Sequence, residues 1–273
     1  RPYLGAFIGL LWFFMPNNLC AIFIEGNLAR SLSMIFLPVF IYSVYKYLYN
    51  HKLRYIPLMV FTFLLMELCH LGYAGMVAIA VIIYGIVYII QKGRKKAVLD
   101  VVISMIFGFM LLGIWLVASL RGGITSLDNS ENMANFFQNL WITINPFERL
   151  TRGFEYFYFG FATLVVIVFG ILFGYKKSRT GFVTGFIILL MTTKSAYAVL
   201  KHLPGSQYLW MLRFISIALC MILMSFLMWD RLKKTLVLML CVLLVVDTIP
   251  SLSLIVGEHN DISVQERMVA RQD

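Results

Sequence analysis

The sequence predicts an all-α protein: a polytopic membrane helix bundle of about nine helices, with an amphipathic helix at the outer interface. Of its 273 residues, 61% are hydrophobic and 13% are charged. Soluble domains contain roughly 45–50% apolar and about 25% charged residues. The mean hydropathy is +0.85. Because about 20 apolar residues cross a bilayer as one helix, the chain has room for several spans.

Four basic clusters lie between the apolar runs and predict the orientation of the chain. A net charge of +10 in a soluble protein would suggest nucleic-acid binding, but short basic clusters between apolar runs follow the positive-inside rule. We therefore expect the lipid bilayer, and no nucleic acid, as a partner. The clusters are Lys46/Lys52/Arg54, Lys92/Arg94/Lys95/Lys96, Lys176/Lys177/Arg179 and Arg231/Lys233/Lys234.

Cytoplasmic placement of all four clusters predicts the topology, because an even number of spans must then separate neighbouring clusters. The 13 cluster residues and Arg1 put 14 of the 23 basic residues inside, with only Asp100 and Asp230 of the 13 acidic ones. We expect a multi-pass protein of the plasma membrane, with a transmembrane domain over residues 1–250. The loop 121–156 and the polar tail 251–273 then lie on the extracytoplasmic side.

The longest apolar stretch, residues 56–90, predicts a hairpin of two short helices. A single helix of that length would overshoot the bilayer and put its two basic flanks on opposite sides. We expect the turn at residues 69–75, where His70, Gly72 and Gly75 interrupt the apolar pattern. Glycine allows the open dihedral angles that a tight turn needs.

The other apolar runs predict single membrane helices that alternate in direction, and several are short enough to need tilt or a thinner bilayer. The first runs outward and the second inward, and the rest alternate after the hairpin. They cover residues 3–15, 31–48, 98–120, 157–175, 182–195, 208–228 and 236–249.

The long outer loop contains the predicted amphipathic helix. Its apolar residues recur at helical spacing: Met133, Phe136, Phe137, Leu140, Trp141 and Ile144. Asp128 and Glu131 are placed as a capping box, and Asn145-Pro146 ends the helix, because proline disfavours the helical state in the preceding residue. This helix lies in the outer interface or packs on the bundle, and both alternatives place its apolar face inward.

Charged side chains inside a membrane are costly and therefore mark candidate functional residues. In the predicted topology they collect near the outer face, and the cytoplasmic half has no comparable set. This one-sided distribution predicts a polar site that opens to the extracytoplasmic side. The residues are Glu25, Arg30, Glu67, His70, Lys194, Arg213 and Asp247.

Glu25, Glu67 and His70 are the candidates for a catalytic group. Glu67 and His70 lie three residues apart, so a continuous helix presents both on one face. Such a pair could transfer a proton, or bind a divalent metal ion with Glu25 or Asp247 as a further ligand. The alternative, which we favour over metal binding, is that both neutralise buried arginines. No other cofactor is expected.

Arg30 and Arg213 are the candidate phosphate-binding residues, since the guanidinium fork matches phosphate oxygens. The alternative is an interfacial arginine that snorkels or forms a salt bridge. Arg213 lies too deep in its predicted helix for easy snorkelling, and for this residue both alternatives stay open. The chain contains no P-loop, G-x-G-x-x-G, G-x-S-x-G or H-E-x-x-H motif, so nucleotide hydrolysis and serine-hydrolase chemistry have no support.

Two stretches resemble a known family. Residues 25–39, EGNLARSLSMIFLPV, precede a basic turn and an apolar run that reaches His70, and they resemble bacterial 6-pyruvoyl-tetrahydropterin-synthase-related integral membrane proteins. Residues 207–214, QYLWMLRF, resemble the start of a membrane helix in that group. The group is similar to the GT-C superfamily of glycosyltransferases, and its label implies no pterin chemistry.

The resemblance implies an enzyme that takes a sugar from a polyprenyl-phosphate donor on the extracytoplasmic face, in cell-envelope glycan assembly. Arg213 would hold the phosphate, and Glu67 and His70 would orient an acceptor hydroxyl or an ion. The catalytic acid would lie in the first outer loop. We expect that loop upstream of Arg1, because the sequence begins without a methionine and looks like part of a longer protein.

The alternative function is a non-enzymatic transporter or scaffold for envelope polysaccharide precursors. A transporter typically carries internal repeats and broken helices near the midplane of the membrane. The sequence shows no repeat, and its charged residues collect at one face. A scaffold would need no buried charge. Both observations favour the enzyme.

Overall fold

The computed structural model describes residues 2–23, 25–121, 137–145, 157–202, 210–229 and 234–251. Within these ranges the chain forms eleven α-helices and no β-strand, apart from one isolated bridge between Gln138 and Thr193. The helices are α1 (Pro2–Phe13), α2 (Pro16–Phe23), α3 (Leu28–Asn50), α4 (Tyr55–Lys92), α5 (Lys95–Arg121), α6 (Leu140–Ile144), α7 (Phe161–Phe173), α8 (Lys176–Met191), α9 (Lys194–Leu200), α10 (Phe214–Leu227) and α11 (Lys234–Val246).

Among the described residues, three helical stretches are long and apolar enough to cross a membrane: Leu28–Asn50, Tyr55–Lys92 and Lys95–Gly113. The bent pair of α1 and α2 would make a fourth. Helices α7, α10 and α11 are apolar but shorter. The all-helical membrane architecture is therefore confirmed, whereas the count of about nine membrane helices stays a prediction.

Helix α4 folds back on itself, which confirms the predicted hairpin. The rings of Tyr42 and Tyr55 lie 6.2 Å apart, and the Tyr88 hydroxyl donates a hydrogen bond to the Leu48 carbonyl at 2.6 Å. A straight helix would separate residues 55 and 88 by about 50 Å. Their partners on α3, residues 42 and 48, are only about 9 Å apart, so α4 must bring residues 55 and 88 back to the same end. The reversal occurs at His70, whose backbone is extended (φ −156°, ψ 93°).

The two legs of α4, residues 55–69 and 71–92, pack against α3 in opposite directions. In the first leg, the Met66 carbonyl accepts a hydrogen bond from Ser33 Oγ at 3.2 Å. In the second, Tyr73 lies beside Arg30 at the start of α3, and Tyr88 lies beside Leu48 near its end. The reversal and the start of α3 therefore occupy the same end of the bundle.

The other end of the bundle brings the helix ends that carry the first three basic clusters together. The Tyr49 hydroxyl bonds to Thr180 Oγ1 at 2.7 Å, and this hydroxyl donates to Gln91 Oε1 at 2.7 Å. The ends of α3 and α4 thus meet the start of α8. Phe182 contacts Trp229, with ring centroids 5.9 Å apart, so α10 also ends there. The first three basic clusters border this end, whereas Arg231 and Lys233 of the fourth lie outside the described residues.

Helix α10 is the central helix of the bundle, with 12 of its 14 residues buried. It packs closely on α8, because a Cβ atom at Gly181 would lie 1.9 Å from Ser225 Oγ. Small residues let helix backbones approach closely where lipid supplies no hydrophobic driving force between helices.

The predicted amphipathic helix is wrong at residues 137–139. The Gln138 N–H donates to the Thr192 carbonyl at 3.3 Å, and the Lys194 N–H donates to the Gln138 carbonyl at 3.0 Å. This pairing holds the segment extended, so α6 starts only at Leu140. Its predicted end is confirmed, since Asn145 is the C-cap. The capping box and the predicted helical residues before 137 lie outside the described residues, as does the tail beyond 251.

Candidate anion-binding site

A break between two helices forms the first wall of the site. Pro16 lacks an N–H group and cannot continue α1, so the chain bends by 57° into α2. The two asparagines that follow Pro16 donate hydrogen bonds to backbone carbonyls. Asn18 Nδ2 donates to the Trp12 carbonyl, and Asn17 Nδ2 donates to the Leu212 carbonyl at 3.1 Å. Asn17 is therefore fixed between α2 and the segment that precedes α10.

The start of α3 positions Arg30. Gly26 has φ +57°, a left-handed conformation that suits glycine, and it turns the chain into Asn27. The Asn27 side chain then accepts the backbone N–H of Arg30 at 2.9 Å as an N-cap. This cap places the Arg30 side chain in the first turn of α3, directed into the bundle, where it is fully buried.

Arg30 is held by three groups. Its Nη1 lies 2.6 Å from Glu25 Oε1, and its Nη2 donates to Asn17 Oδ1 at 3.4 Å. Its guanidinium lies 5.9 Å from the centre of the Tyr73 ring. The Arg30 Nε atom is buried without a hydrogen-bond partner. Both terminal nitrogens are engaged, so Arg30 orients Glu25. Its side chain is fully buried and does not reach solvent.

Arg213 approaches the same carboxylate from the short 3-10 turn that precedes α10. Its Nη2 lies 3.7 Å from Glu25 Oε2, and its guanidinium stacks on Trp210 with 4.3 Å to the ring centre. The Arg213 side chain is 12% exposed. Its buried Nε atom has no hydrogen-bond partner, so this guanidinium keeps donor capacity.

A pocket of about 330 Å³ opens at this cluster. Its lining consists of Glu25, Asn27, Trp210, Leu212 and Arg213. Arg30 is absent from the lining, because it lies behind Glu25. Within this cluster, as far as the structure describes it, two guanidinium groups face one carboxylate, so the cluster has a net charge of +1. An anion in the pocket would therefore be attracted electrostatically.

A hydrogen-bonded layer supports the cluster from inside the bundle. His70 Nδ1 accepts the backbone N–H of Tyr73 at 3.0 Å, so His70 caps the second leg of α4 in the way that an N-cap side chain does. The Tyr73 hydroxyl bonds to Ser216 Oγ at 2.8 Å, and Trp12 Nε1 donates to the Ser216 carbonyl at 3.0 Å. These contacts join α1, α4 and α10 below the pocket.

The structure brings four of the sequence-predicted residues together: Glu25, Arg30, His70 and Arg213. His70 lies within electrostatic range of the other three. Glu67 faces away, into a cavity between the legs of α4 and α5. The Asp247 carboxylate binds the first turn of α7, where it accepts the N–H groups of residues 162 and 163.

The predicted metal ligands do not form a cluster. Among the described residues, no group of three or more His, Cys, Asp or Glu side chains is placed to hold a metal ion. Glu67 and His70, both within the described residues, form no hydrogen bond or ion pair with each other. The reversal at His70 separates their side chains. The divalent ion therefore gains no support from this geometry.

Sequence reasoning missed three residues of the cluster: Asn17, Tyr73 and Trp210. A signal for the first was present, because two asparagines directly after a proline are unusual within an apolar run. Trp210 lies within the stretch 207–214 but is not among the predicted site residues. Its contact with Arg213 across two intervening residues depends on the 3-10 turn between them.

The family model of the 6-pyruvoyl-tetrahydropterin synthase related domain, described as a membrane protein, matches residues 1–255. The chain belongs to this family. The match confirms the resemblance to this family, though not the similarity to the GT-C superfamily, and it agrees with the apolar helices in assigning the protein to a membrane. Searches of curated proteins and of solved structures returned no match.

Proposed function

We propose that the chain belongs to an integral membrane glycosyltransferase of the GT-C type. It transfers a sugar from a polyprenyl-phosphate donor on the extracytoplasmic face of the plasma membrane, in cell-envelope glycan assembly. The observation that carries this proposal is the pocket at Arg213, which has an unbalanced positive charge and lies at the bundle end opposite the basic clusters.

Arg213 is the phosphate-binding residue in this proposal. It is the arginine that lines the pocket, and a guanidinium binds phosphate oxygens through two parallel hydrogen bonds. Trp210 and Glu25 hold its position, so little side-chain entropy is lost when the phosphate binds. Arg30 has a positioning role, since its contact with Glu25 keeps that carboxylate on the arginine side of the pocket.

The orientation follows from the positions of the charges. Basic residues between membrane helices remain in the cytoplasm. The basic ends of α3, α4 and α8 meet at one end of the bundle, and the Arg213 pocket lies at the other. The pocket thus faces the side on which a polyprenyl-linked sugar would be presented, with its phosphate near the membrane interface.

Glu25 lines the pocket beside Arg213, and His70 lies in the hydrogen-bonded layer below it. The Glu25 carboxylate contacts both Arg30 and Arg213, so we assign it the role of holding the two arginines in place. The Nδ1 of His70 accepts the Tyr73 N–H, which holds the second leg of α4 and Tyr73 beside Arg30. We therefore assign His70 the role of positioning Tyr73 and Arg30, and we place no catalytic base among the described residues.

The test is a transfer assay with the full-length protein in proteoliposomes, using a panel of radiolabelled polyprenyl-phosphate hexoses. We expect Arg213→Ala to lower transfer roughly 10- to 150-fold, the loss typical of a hydrogen bond to a charged group. Arg213→Lys should retain part of the activity. Arg54→Ala, at the basic end of the bundle, is the matched control and should leave transfer unchanged.

Unchanged transfer in Arg213→Ala would contradict the assignment of the phosphate site. Movement of the labelled lipid across the bilayer without cleavage of the sugar–phosphate bond would replace the enzyme by the transporter alternative. Binding without cleavage or movement would favour a scaffold.

A further inference from the structure

A second cavity lies between the two legs of α4 and helix α5, with a volume of about 550 Å³. Apart from Glu67, every residue of its lining is apolar. Ile82, Ile106 and Phe109 belong to this lining and also to the exposed surface of the bundle. In a membrane this surface faces hydrocarbon, so the cavity opens sideways toward lipid.

Glu67 is the one polar side chain in this lining. Its side chain is buried, with the whole residue 2% exposed, and its Oε2 atom has no hydrogen-bond partner. No basic side chain among the described residues pairs with it. A carboxyl group in apolar surroundings is costly unless a partner supplies charge or hydrogen bonds. The cavity therefore holds an unsatisfied acceptor at its wall.

The cavity has a polar end and an apolar end. Glu67 lies three residues before the reversal at His70, near the bundle end that carries the Arg213 pocket. From there the lining continues along the second leg through Gly75, Ala78 and Ile82, about 7 to 18 Å beyond the reversal. A lipid of that leaflet has the same polarity, because its head lies near the surface and its chain points to the midplane.

We propose that this cavity binds a membrane lipid with a primary-amine head group. The ammonium N–H groups donate hydrogen bonds to Glu67, and the hydrocarbon chain fills the apolar part between α4 and α5. An amine supplies both the positive charge and the donors that Glu67 lacks, whereas an anionic head group would be repelled. The site is separate from the Arg213 pocket and does not depend on the proposed glycosyl transfer.

The test compares lipids that differ only in their head groups, by native mass spectrometry of the purified full-length protein. We expect dioleoyl phosphatidylethanolamine to bind at least about 10-fold more tightly than dioleoyl phosphatidylcholine, whose quaternary ammonium carries no N–H donor. Glu67→Gln should abolish this preference. Asp100→Asn, an acid at the opposite end of the bundle, and Arg213→Ala should both retain it.

Two further measurements separate head-group recognition from chain binding. Ala78→Phe fills the apolar part and should weaken binding of both lipids without removing Glu67. In the wild-type protein, the Glu67 carboxylate and a proton from solvent add across a C=N bond of dicyclohexylcarbodiimide, and the resulting O-acylisourea rearranges to an N-acylurea. Phosphatidylethanolamine should protect Glu67 from this labelling, and phosphatidylcholine should not.

Equal binding of the two lipids, or an unchanged preference in Glu67→Gln, would overturn the proposal. Tighter binding of dioleoyl phosphatidylglycerol than of phosphatidylethanolamine would also overturn it, because the protein would then recognise the hydroxyl groups of the head group and not an amine. The protection experiment needs no variant, so it decides the question even where Glu67→Gln does not fold.

Discussion

Asp247, just after α11, caps the start of α7 through Thr163. Its Oδ2 atom accepts the backbone N–H of Thr163 at 2.6 Å and the Thr163 hydroxyl at 2.8 Å. Its Oδ1 atom accepts the Ala162 N–H at 3.2 Å and the Tyr158 hydroxyl at 3.4 Å. The first N–H groups of a helix have no partner within the helix, and the helix dipole favours a carboxylate there. A residue distant in sequence thus supplies the N-terminal cap of α7.

The capping contact makes Gly160→Ala strongly destabilising. Gly160 has φ +95°, and an added Cβ would lie 2.0 Å from Asp247 Cγ. Backbone strain and the steric clash each cost about 1–3 kcal/mol. Gly113→Ala is the matched control, because an added Cβ there meets no atom within 4 Å. Thermal unfolding in detergent should show a clear drop in Tm for Gly160→Ala alone, and equal Tm values would contradict this geometry.

The buried pair of Arg30 and Glu25 predicts a second stability effect. Arg30→Met leaves the Glu25 carboxylate without its 2.6 Å partner, and breaking a buried ion pair costs about 3–5 kcal/mol. Arg30→Met combined with Glu25→Leu removes both charges and should recover much of this loss. The measurement is detergent unfolding of both single variants and the double variant.

The exposed Lys52→Met variant serves as the control for this cycle and should change the unfolding free energy by less than about 0.5 kcal/mol. Additive effects of Arg30→Met and Glu25→Leu would show that the two side chains do not interact. Arg213 also contacts the Glu25 carboxylate, at 3.7 Å. In the Arg30→Met background, Glu25 therefore keeps one charged partner.

The reversal of α4 predicts which residues share a side of the membrane. In a background without native cysteines, single cysteines at positions 52 and 95 should react with an impermeant maleimide from the same side of sealed vesicles. A cysteine at position 27, near the Arg213 pocket, should react from the other side. Labelling of positions 52 and 95 from opposite sides would mean that α4 crosses the bilayer once, against the contacts of Tyr42 with Tyr55 and of Tyr88 with Leu48.

Short helices were beyond sequence-based prediction. Helices α2 and α9 have 8 and 7 residues, too few for a periodic pattern to stand out within an apolar sequence. The bend at Pro16 was hidden for the same reason, because the run continues to be apolar on both sides. The extended segment at Gln138 depends on pairing with Thr193, more than fifty residues away, and local helical spacing cannot report such a contact.

Composition and charge order alone determined that this protein is an all-helical membrane bundle with a hairpin at residues 56–90. These properties follow from the thickness of a bilayer and the cost of moving charges across it. They can therefore be predicted from the lengths of the apolar runs and the positions of the basic clusters. The same cost placed most of the candidate charges at one end of the bundle.

Only the tertiary structure decided which of those charges meet. Arg30 and Arg213 converge on Glu25 because α3 and α10 pack side by side, whereas Glu67 faces α5. Residues three apart share a face only where the helix is continuous, and the extended backbone at His70 ends that continuity. Local periodicity sets the face of each helix, but the packing of distant elements selects the partner of each side chain.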